Sequence, residues 1–262
     1  MTAAKVTLSV AVMAHPSRRR WVDPLLADLG GAVEVVWDRR NDRWDTGRRA
    51  LLAHDSHATH HLVVQDDAIV CRDLPAGAAA AAAGKAADRP VCLYTGRVRP
   101  HPAKVARAVA RARAAGLTFI EMGGPWWGVA IVLPTGHIPH VVRHGDLATR
   151  IANYDRKISD WYRRQHLACW YTVPSLVDHR PVLHNPSLIA GRDGNRRAHG
   201  FLGCGRSASE VVWSDLAMPA SGTTPGTVAF ASRTTRRVVE LAPDDPRVEV
   251  WAGKPHVWEQ IT

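Results

Sequence analysis

Three short apolar segments separated by helix-like segments constrain the fold of this 262-residue chain more than any other feature. The apolar segments cover residues 5–13, 33–37 and 61–65. Their composition is typical of strands that are covered on both faces of a sheet. Residues 17–29 and 46–54, which separate them, have the patterns of helices, and Ser17 is expected to cap the first. This β-α-β-α-β order predicts a parallel sheet with helices on its faces.

The rest of the chain continues the alternation. We expect helices over 76–87, 102–115 and 153–166, and strands over 91–94 and 129–133. We therefore predict an α/β, Rossmann-like single domain over 1–207, with a mostly parallel central sheet and helices on both faces. Turn residues and short β-like pieces at 227–231, 238–241 and 248–251 predict a small C-terminal appendage over 208–262.

Composition excludes several classes of protein. With 46% hydrophobic residues and no period in its Gly and Pro, the chain is neither disordered nor fibrous. Its apolar runs are far shorter than the roughly 20 residues of a membrane-spanning helix. Because the N-terminus lacks the pattern of a secretory signal, we expect a cytoplasmic protein without a membrane partner. The four cysteines are widely spaced, which favours buried free thiols over a zinc site or disulfides.

The chain is strongly basic, with 34 Lys and Arg against 24 Asp and Glu, a net charge of +10. Such a field attracts polyanions, either nucleic acid or nucleoside diphosphates. Arginine accounts for nearly all of the excess, and a GC-biased genome produces the same composition without selection for binding. A nucleic-acid-binding module is thus one hypothesis for the function.

Polar residues follow each of the first three predicted strands, at 14–18, 37–38 and 65–67. Ligands of open parallel sheets bind at the carboxyl ends of the strands. Asp66 and Asp67 are the sharpest signal, because adjacent carboxylates repel each other unless a cation compensates them. A Mg²⁺ or Mn²⁺ ion shared with substrate phosphates is the usual solution, while the simpler alternative is that the pair caps a turn.

The order of several motifs gives a family resemblance. The motifs are A-V-M-A-H-P-S-R-R, W-D-T-G-R-R-A-L, H-L-V-V-Q-D-D-A, Y-D-R-K-I-S-D-W and W-Y-T-V-P-S-L-V-D-H-R. Over about residues 5–205 the chain resembles the GT-A glycosyltransferases of bacteriophages, which are distantly similar to family-2 and lipopolysaccharide-type enzymes. The resemblance implies a nucleotide-sugar donor, with uridine diphosphate favoured, a divalent metal, and an Asp or Glu base. Gln65 departs from the family's acidic motif.

The resemblance also implies roles for particular residues. Asp67 and His179 would bind the Mn²⁺ or Mg²⁺ ion. Arginines near the glycine-rich stretch after residue 190 would close over the diphosphate, and Gly47 would let the nucleotide approach the backbone closely. The full set of implied donor-binding residues is Ala14, His15, Arg18, Asp38, Thr46, Gly47, Arg48, Asp66, Arg196 and Arg197.

For the acceptor side, Asp155 is the candidate catalytic base and Asp160 the reserve. The N-terminus of its helix is expected to lower the pKa of Asp155. Asp155 as a plain helix cap is the alternative. Trp126 and Trp127 would stack on the acceptor, although core packing explains a tryptophan pair equally well.

Two further alternatives stay open. His54, His57, His60 and His61 have metal-like spacing but lack the other elements of a zinc site, so a helix-to-strand junction is the simpler interpretation. Asp66, Asp67 and His179 could also serve a metal-dependent nuclease or phosphoesterase. For a glycosyltransferase, the leading acceptor is 5-hydroxymethylcytosine in DNA, followed by protein or glycan hydroxyls. The sequence makes no prediction of oligomeric state, and a phage enzyme would act in the host cytoplasm.

Overall fold

A computed structural model describes residues 5–97, 101–180 and 196–220, together with the backbone of two strands near the C-terminus. Strands and helices alternate along most of this part of the chain. In chain order they are β1 (Leu8–Ala14), α1 (Arg19–Leu29), β2 (Val33–Trp37), α2 (Arg43–Leu52), β3 (His60–Gln65), β4 (Ala68–Val70), α3 (Leu74–Ala81), β5 (Val91–Cys92), α4 (Pro102–Ala114), β6 (Phe119–Met122), β7 (Ala130–Pro134), α5 (Ile138–Leu147), α6 (Tyr154–Arg164), β8 (Cys169–Thr172), β9 (Val177–His179), β10 (Met218–Pro219), β11 (Val248–Trp251) and β12 (Lys254–Val257).

Eight strands form one sheet in the order β10-β6-β8-β5-β7-β3-β1-β2. β1 lies between β2 and β3 and is parallel to both, which confirms the predicted parallel β-α-β-α-β unit. β7 runs antiparallel to both β3 and β5, so β5 and its parallel neighbour β8 share the direction of β3. β6 is antiparallel to β8 and parallel to the edge strand β10. The sheet is thus mixed, with mostly parallel neighbours.

Apolar side chains cover the sheet on both faces. Alternate residues of β1 point to opposite sides, with Val10 and Val12 in one core and Ala11 and Met13 in the other. Helices α1 and α3 pack on the first face, and α2, α4, α5 and α6 pack on the second. The predicted α/β architecture with helices on both faces is confirmed at this level.

Several local predictions were wrong. Ser17 does not cap a long helix, because a 3-10 turn over Pro16–Arg18 comes first and the His15 ring accepts from the Ser17 N–H. The alanine-rich helix ends at Ala81, and Gly84 then adopts a φ of +62°. Three further elements, β6, α5 and β8, were not predicted. The two strands are short and almost entirely buried, whereas α5 buries Ile138, Val141, Val142 and Gly145 at helical spacing, a signal that the sequence does carry.

Residues 208–220 contact the main domain. Ala208 is buried, and a Cβ placed on Gly77 of α3 would lie 2.2 Å from its Cβ. β10 then extends the sheet edge, and β11 and β12 form a separate antiparallel pair. The strand predicted at 248–251 is confirmed, whereas those at 227–231 and 238–241 lie outside the described residues.

The structure bears on two predictions made from composition, one about membrane-spanning helices and one about the cysteines. Within the part of the chain that the structure describes, no helix is long and apolar enough to span a membrane. Cys71, Cys92 and Cys169 are buried free thiols, as predicted, but Cys204 is exposed. Cys204 lies in a turn between β9 and β10.

Candidate functional site

The loops after the three parallel strands begin side by side. The Asp66 N–H donates to the Met13 carbonyl (3.0 Å), and the Asp38 N–H donates to the Ala14 carbonyl (2.7 Å). His15 follows the same end of β1. Polar residues from three separate motifs are therefore gathered at one edge of the sheet, as the sequence predicted.

Asp66 connects two of these loops. Its side chain is fully buried, and its Oδ2 accepts from the His15 N–H at 2.6 Å. The Arg18 Nε lies 2.8 Å from its Oδ1 and supplies a positive charge. Burial raises the pKa of Asp66, while Arg18 and the His15 N–H oppose that shift. Asp66 thus links the end of β3 to the loop after β1, and Arg18 balances its negative charge.

Asp67 faces His179, which lies more than 110 residues further along the chain. β9 pairs antiparallel with β4, with His179 opposite Ala68, and this brings the His179 Nε2 to 3.4 Å from the Asp67 Oδ2. The His179 Nδ1 lies 2.8 Å from the Arg180 carbonyl, which can only accept, so Nδ1 carries a hydrogen. In the neutral ring, Nε2 therefore presents its lone pair toward the carboxylate.

Asp67 and His179 fit a small divalent cation. The Asp67 Oδ1 is buried and has no hydrogen-bond partner among the residues the structure describes, so one hard oxygen is available beside the His179 nitrogen. The described residues contain no group of three or more His, Cys, Asp or Glu side chains that could hold a metal ion. Mg²⁺, however, is typically held by one or two carboxylates together with substrate phosphates. Asp67 could supply one such carboxylate, with His179 as a neighbouring nitrogen ligand.

Two arginines flank this pair. The Arg18 Nη1 lies 3.5 Å from the Asp67 Oδ2, which agrees with its predicted place at the site. Arg180 was not predicted. Its N–H donates to the Asp67 carbonyl (2.8 Å), its guanidinium lies 6.0 Å from the Trp21 ring, and its buried Nε has no hydrogen-bond partner in the described chain. The sequence feature that could have indicated Arg180 is its position as the last residue of the P-S-L-V-D-H-R motif.

The predicted donor-binding residues of α2 contact other helices instead. Gly47 was expected to admit a nucleotide, but a Cβ there would lie 2.7 Å from the Cβ of Tyr154, so the space beside it is filled. Arg48 pairs with Asp146 at 3.0 Å. Thr46 is buried, and its hydroxyl has no partner among the described residues. The small residue at position 47 thus serves helix packing.

Asp38 and the two predicted diphosphate arginines have mainly structural contacts. The Asp38 Oδ1 accepts from the N–H groups of Arg40 (2.9 Å) and Asn41 (2.8 Å) and so shapes its own loop. Arg197 forms an ion pair with the buried Asp178 at 2.7 Å. The Arg196 carbonyl accepts from the Tyr94 hydroxyl at 2.7 Å. None of these contacts involves Asp66 or Asp67.

Asp155 begins α6 close to this edge. Tyr154 donates a hydrogen bond to the carbonyl of Gly128, and the charges of both Asp155 and Asp67 add to the burial that raises the pKa of its phenol. Burial also raises the pKa of Asp155. The predicted lowering by the helix N-terminus was wrong, because desolvation outweighs it. The reserve candidate, Asp160, instead contacts His144 and Arg164, each at 2.9 Å.

Both tryptophans are partly buried and pack against the core. Trp127 packs edge-on against Tyr94 and Tyr171, and a Cβ on Gly96 would lie 2.7 Å from its ring. Core packing therefore accounts for Trp127. Trp126 is partly exposed, with its ring 5.8 Å from that of His101 and 5.9 Å from the Arg163 guanidinium.

No known protein family and no curated protein matches this chain. A function must therefore be inferred from the site itself, since a fold alone hosts many activities. The part of the site that carries specific chemistry is the buried acidic pair with His179.

Two further features involve none of Asp66, Asp67 and His179. A shallow groove of about 690 Å³ lies between the loops that precede α2 and α6, with Arg43, Asn153 and the buried Lys157 in its wall. The histidine group is structural, because the His61 ring lies between the Ser9 hydroxyl and the Ala50 carbonyl and His60 is also buried. His57 is exposed, so the four rings do not converge.

Proposed function

We propose that this chain is a metal-dependent glycosyltransferase of the GT-A type, which moves a sugar from a nucleotide-sugar donor to a hydroxyl acceptor. The observation that carries the proposal is the approach of His179 to Asp67 at the carboxyl ends of parallel strands. Chain topology joins these two residues from distant motifs, and both offer electron pairs suited to one cation. A uridine diphosphate sugar is the favoured donor.

The donor would lie across the loops that follow β1, β2 and β3, with His15 and Asp38 beside the nucleoside. Arg18 and Arg180 then contribute positive charge next to the diphosphate, where a guanidinium can donate to two oxygens at once. A Mn²⁺ or Mg²⁺ ion held by Asp67 and His179 would offset negative charge on the leaving diphosphate.

Asp155 is the proposed base. Its raised pKa brings its proton affinity closer to that of a useful acceptor near neutral pH. In the transfer, Asp155 takes the proton of the acceptor hydroxyl, the hydroxyl oxygen bonds to C1 of the sugar, and the bond from C1 to the diphosphate oxygen breaks. The adjacent groove offers room for the acceptor, with Asn153 and Lys157 in its wall.

For the acceptor, we propose 5-hydroxymethylcytosine in DNA, since the net charge of +10 favours a polyanionic acceptor over a neutral glycan. Trp126, which is partly exposed, would stack on the extruded base. Hydroxymethylated DNA is incubated with labelled sugar donors and digested to nucleosides for mass analysis. Unmodified nucleosides together with a labelled protein or glycan would refute this acceptor.

The donor site is tested by calorimetric titration with uridine and guanosine diphosphate sugars in the presence and absence of Mn²⁺. We expect Mn²⁺-dependent binding that is lost in Asp67→Asn and strongly weakened in His179→Gln. His57→Gln, which removes an exposed histidine, is the matched control. Unchanged affinity in both site variants, or no binding of any donor, would contradict the proposal. Mn²⁺-dependent cleavage of DNA without sugar would identify a nuclease.

A further inference from the structure

A second group of arginines lies beyond the end of β5, and one of them, Arg197, pairs with Asp178. Beyond Cys92 the chain runs antiparallel to residues 197–199, with Gly96 opposite Ala198. The Arg97 N–H donates to the Arg197 carbonyl (3.1 Å), and the His199 N–H donates to the Thr95 carbonyl (2.7 Å). This register places Arg97 directly opposite Arg197. Gly96 and Ala198 take the other face, where Gly96 meets Trp127.

Directly opposite residues of an antiparallel pair project to the same face, with Cβ atoms about 5 Å apart. Arg97 and Arg197 are therefore like charges in a position where like charges destabilise a pair. A third arginine joins them from α4: a Cβ on Gly200 would lie 1.7 Å from the Arg113 Nη2. The guanidinium of Arg113 thus passes over the residue that follows His199.

The negative charge near this group is insufficient to balance it. Asp178 pairs with Arg197, and its other oxygen accepts from the N–H groups of His179 and Ala198. Within the described ranges, Arg97 and Arg113 form no ion pair with an acidic side chain, and both are exposed. Burial, followed by the charges of Arg97 and Arg113, lowers the pKa of His199, which shows how close these two arginines lie to it.

We propose that Arg97, Arg113 and Arg197 form a docking surface for the phosphodiester backbone of DNA. Three exposed or half-exposed guanidinium groups from three separate segments fit a row of phosphates, and a net charge of +10 attracts the same partner from a distance. A local arrangement that costs stability is expected where function requires it. The proposal rests on the proposed function in one respect, namely that the DNA bound here is the acceptor.

The surface is tested with the full chain and a fluorescein-labelled 20-base-pair duplex, by anisotropy across a salt series. The test variant is Arg97→Ala/Arg113→Ala, which spares every residue assigned to the donor. The matched control is Arg143→Ala/Arg164→Ala, which removes two exposed arginines on α5 and α6. Arg97→Lys/Arg113→Lys retains the charge. Thermal unfolding confirms that each variant is folded.

We expect the test variant to reduce the slope of log affinity against log salt by about 2, because each phosphate contact contributes about 0.9. The control variant retains the wild-type slope, and the lysine variant retains most of it. Affinity for uridine diphosphate with Mn²⁺ stays unchanged in all three, so failure of the donor site is measured separately. Equal losses in the test and control variants, an unchanged slope, or a selective loss of uridine diphosphate binding would each overturn the proposal.

Discussion

His61, one of the two buried histidines of β3, gives a quantitative test of how the stability of this fold depends on pH. The Ser9 hydroxyl donates to the His61 Nδ1 (2.8 Å), and the His61 Nε2 donates to the Ala50 carbonyl (2.8 Å), so the folded state holds the neutral ring. Burial is the largest cause of a pKa lowered from 6.5 to about 4.

The sign and size of the effect follow from proton linkage. Well above pH 6.5 neither state binds a proton at His61, and stability is unaffected. As pH falls toward 4, the unfolded chain binds a proton that the folded chain excludes, so stability is lost. Between pH 7.5 and pH 5.0 the two pKa values give a loss of about 2 kcal/mol from this residue.

The measurement is urea unfolding followed by tryptophan fluorescence at pH 7.5 and pH 5.0. His61→Gln has no titrating group at this position, so it should lose about 2 kcal/mol less stability between the two pH values than the wild type. His60, whose pKa burial also lowers, titrates in both proteins and cancels. His57→Gln is the control and should behave as the wild type. Equal pH-dependent losses in the wild type and His61→Gln would refute the reasoning.

Three other predictions address packing, charge balance and catalysis. Gly47→Ala should reduce the unfolding free energy by about 1–3 kcal/mol in urea unfolding, because its new Cβ meets a buried tyrosine, whereas Gly136→Ala, with open space, should change little. Arg18→Met should cost about 3–5 kcal/mol in the same assay by leaving the buried Asp66 charge uncompensated, and adding Asp66→Asn should restore most of it. Asp155→Asn should lower kcat for sugar transfer by about 10²–10⁴-fold in a donor-turnover assay while donor affinity is retained; an unchanged kcat would remove Asp155 from catalysis.

The sequence predicted the sheet, and the edge of it where polar residues gather, better than it predicted the contacts of individual residues. Asp66 and Asp67 were correctly placed where β3 ends, because a buried strand followed by carboxylates is a local signal. Their different environments were not predictable. Whether a carboxylate is paired or open depends on Arg18 and His179, which arrive from other segments.

The remaining wrong or missing predictions concern residues whose neighbours come from distant segments of the chain. Gly47 was predicted to contact a nucleotide, because a glycine allows another group to approach the backbone closely. The sequence around Gly47 does not show that this group is the side chain of Tyr154. Likewise, the helix N-terminus at Asp155 is visible in the sequence, while the burial that raises its pKa is not. Arg180 could not be predicted as a neighbour of Asp67, because only the pairing of β4 with β9 brings its backbone to the Asp67 carbonyl.

Local chain chemistry determined where most of the strands and helices form and which polar groups follow the first three strands. These properties depend on neighbours within a few residues, so apolar period and turn chemistry indicate them, although β6, α5 and β8 were missed. Tertiary structure alone decided which charges neutralise one another, which glycines touch side chains, and which arginines stand opposite each other. Electrostatic and packing energies depend on distances between atoms, and those distances are set by strand pairing between segments far apart in the chain.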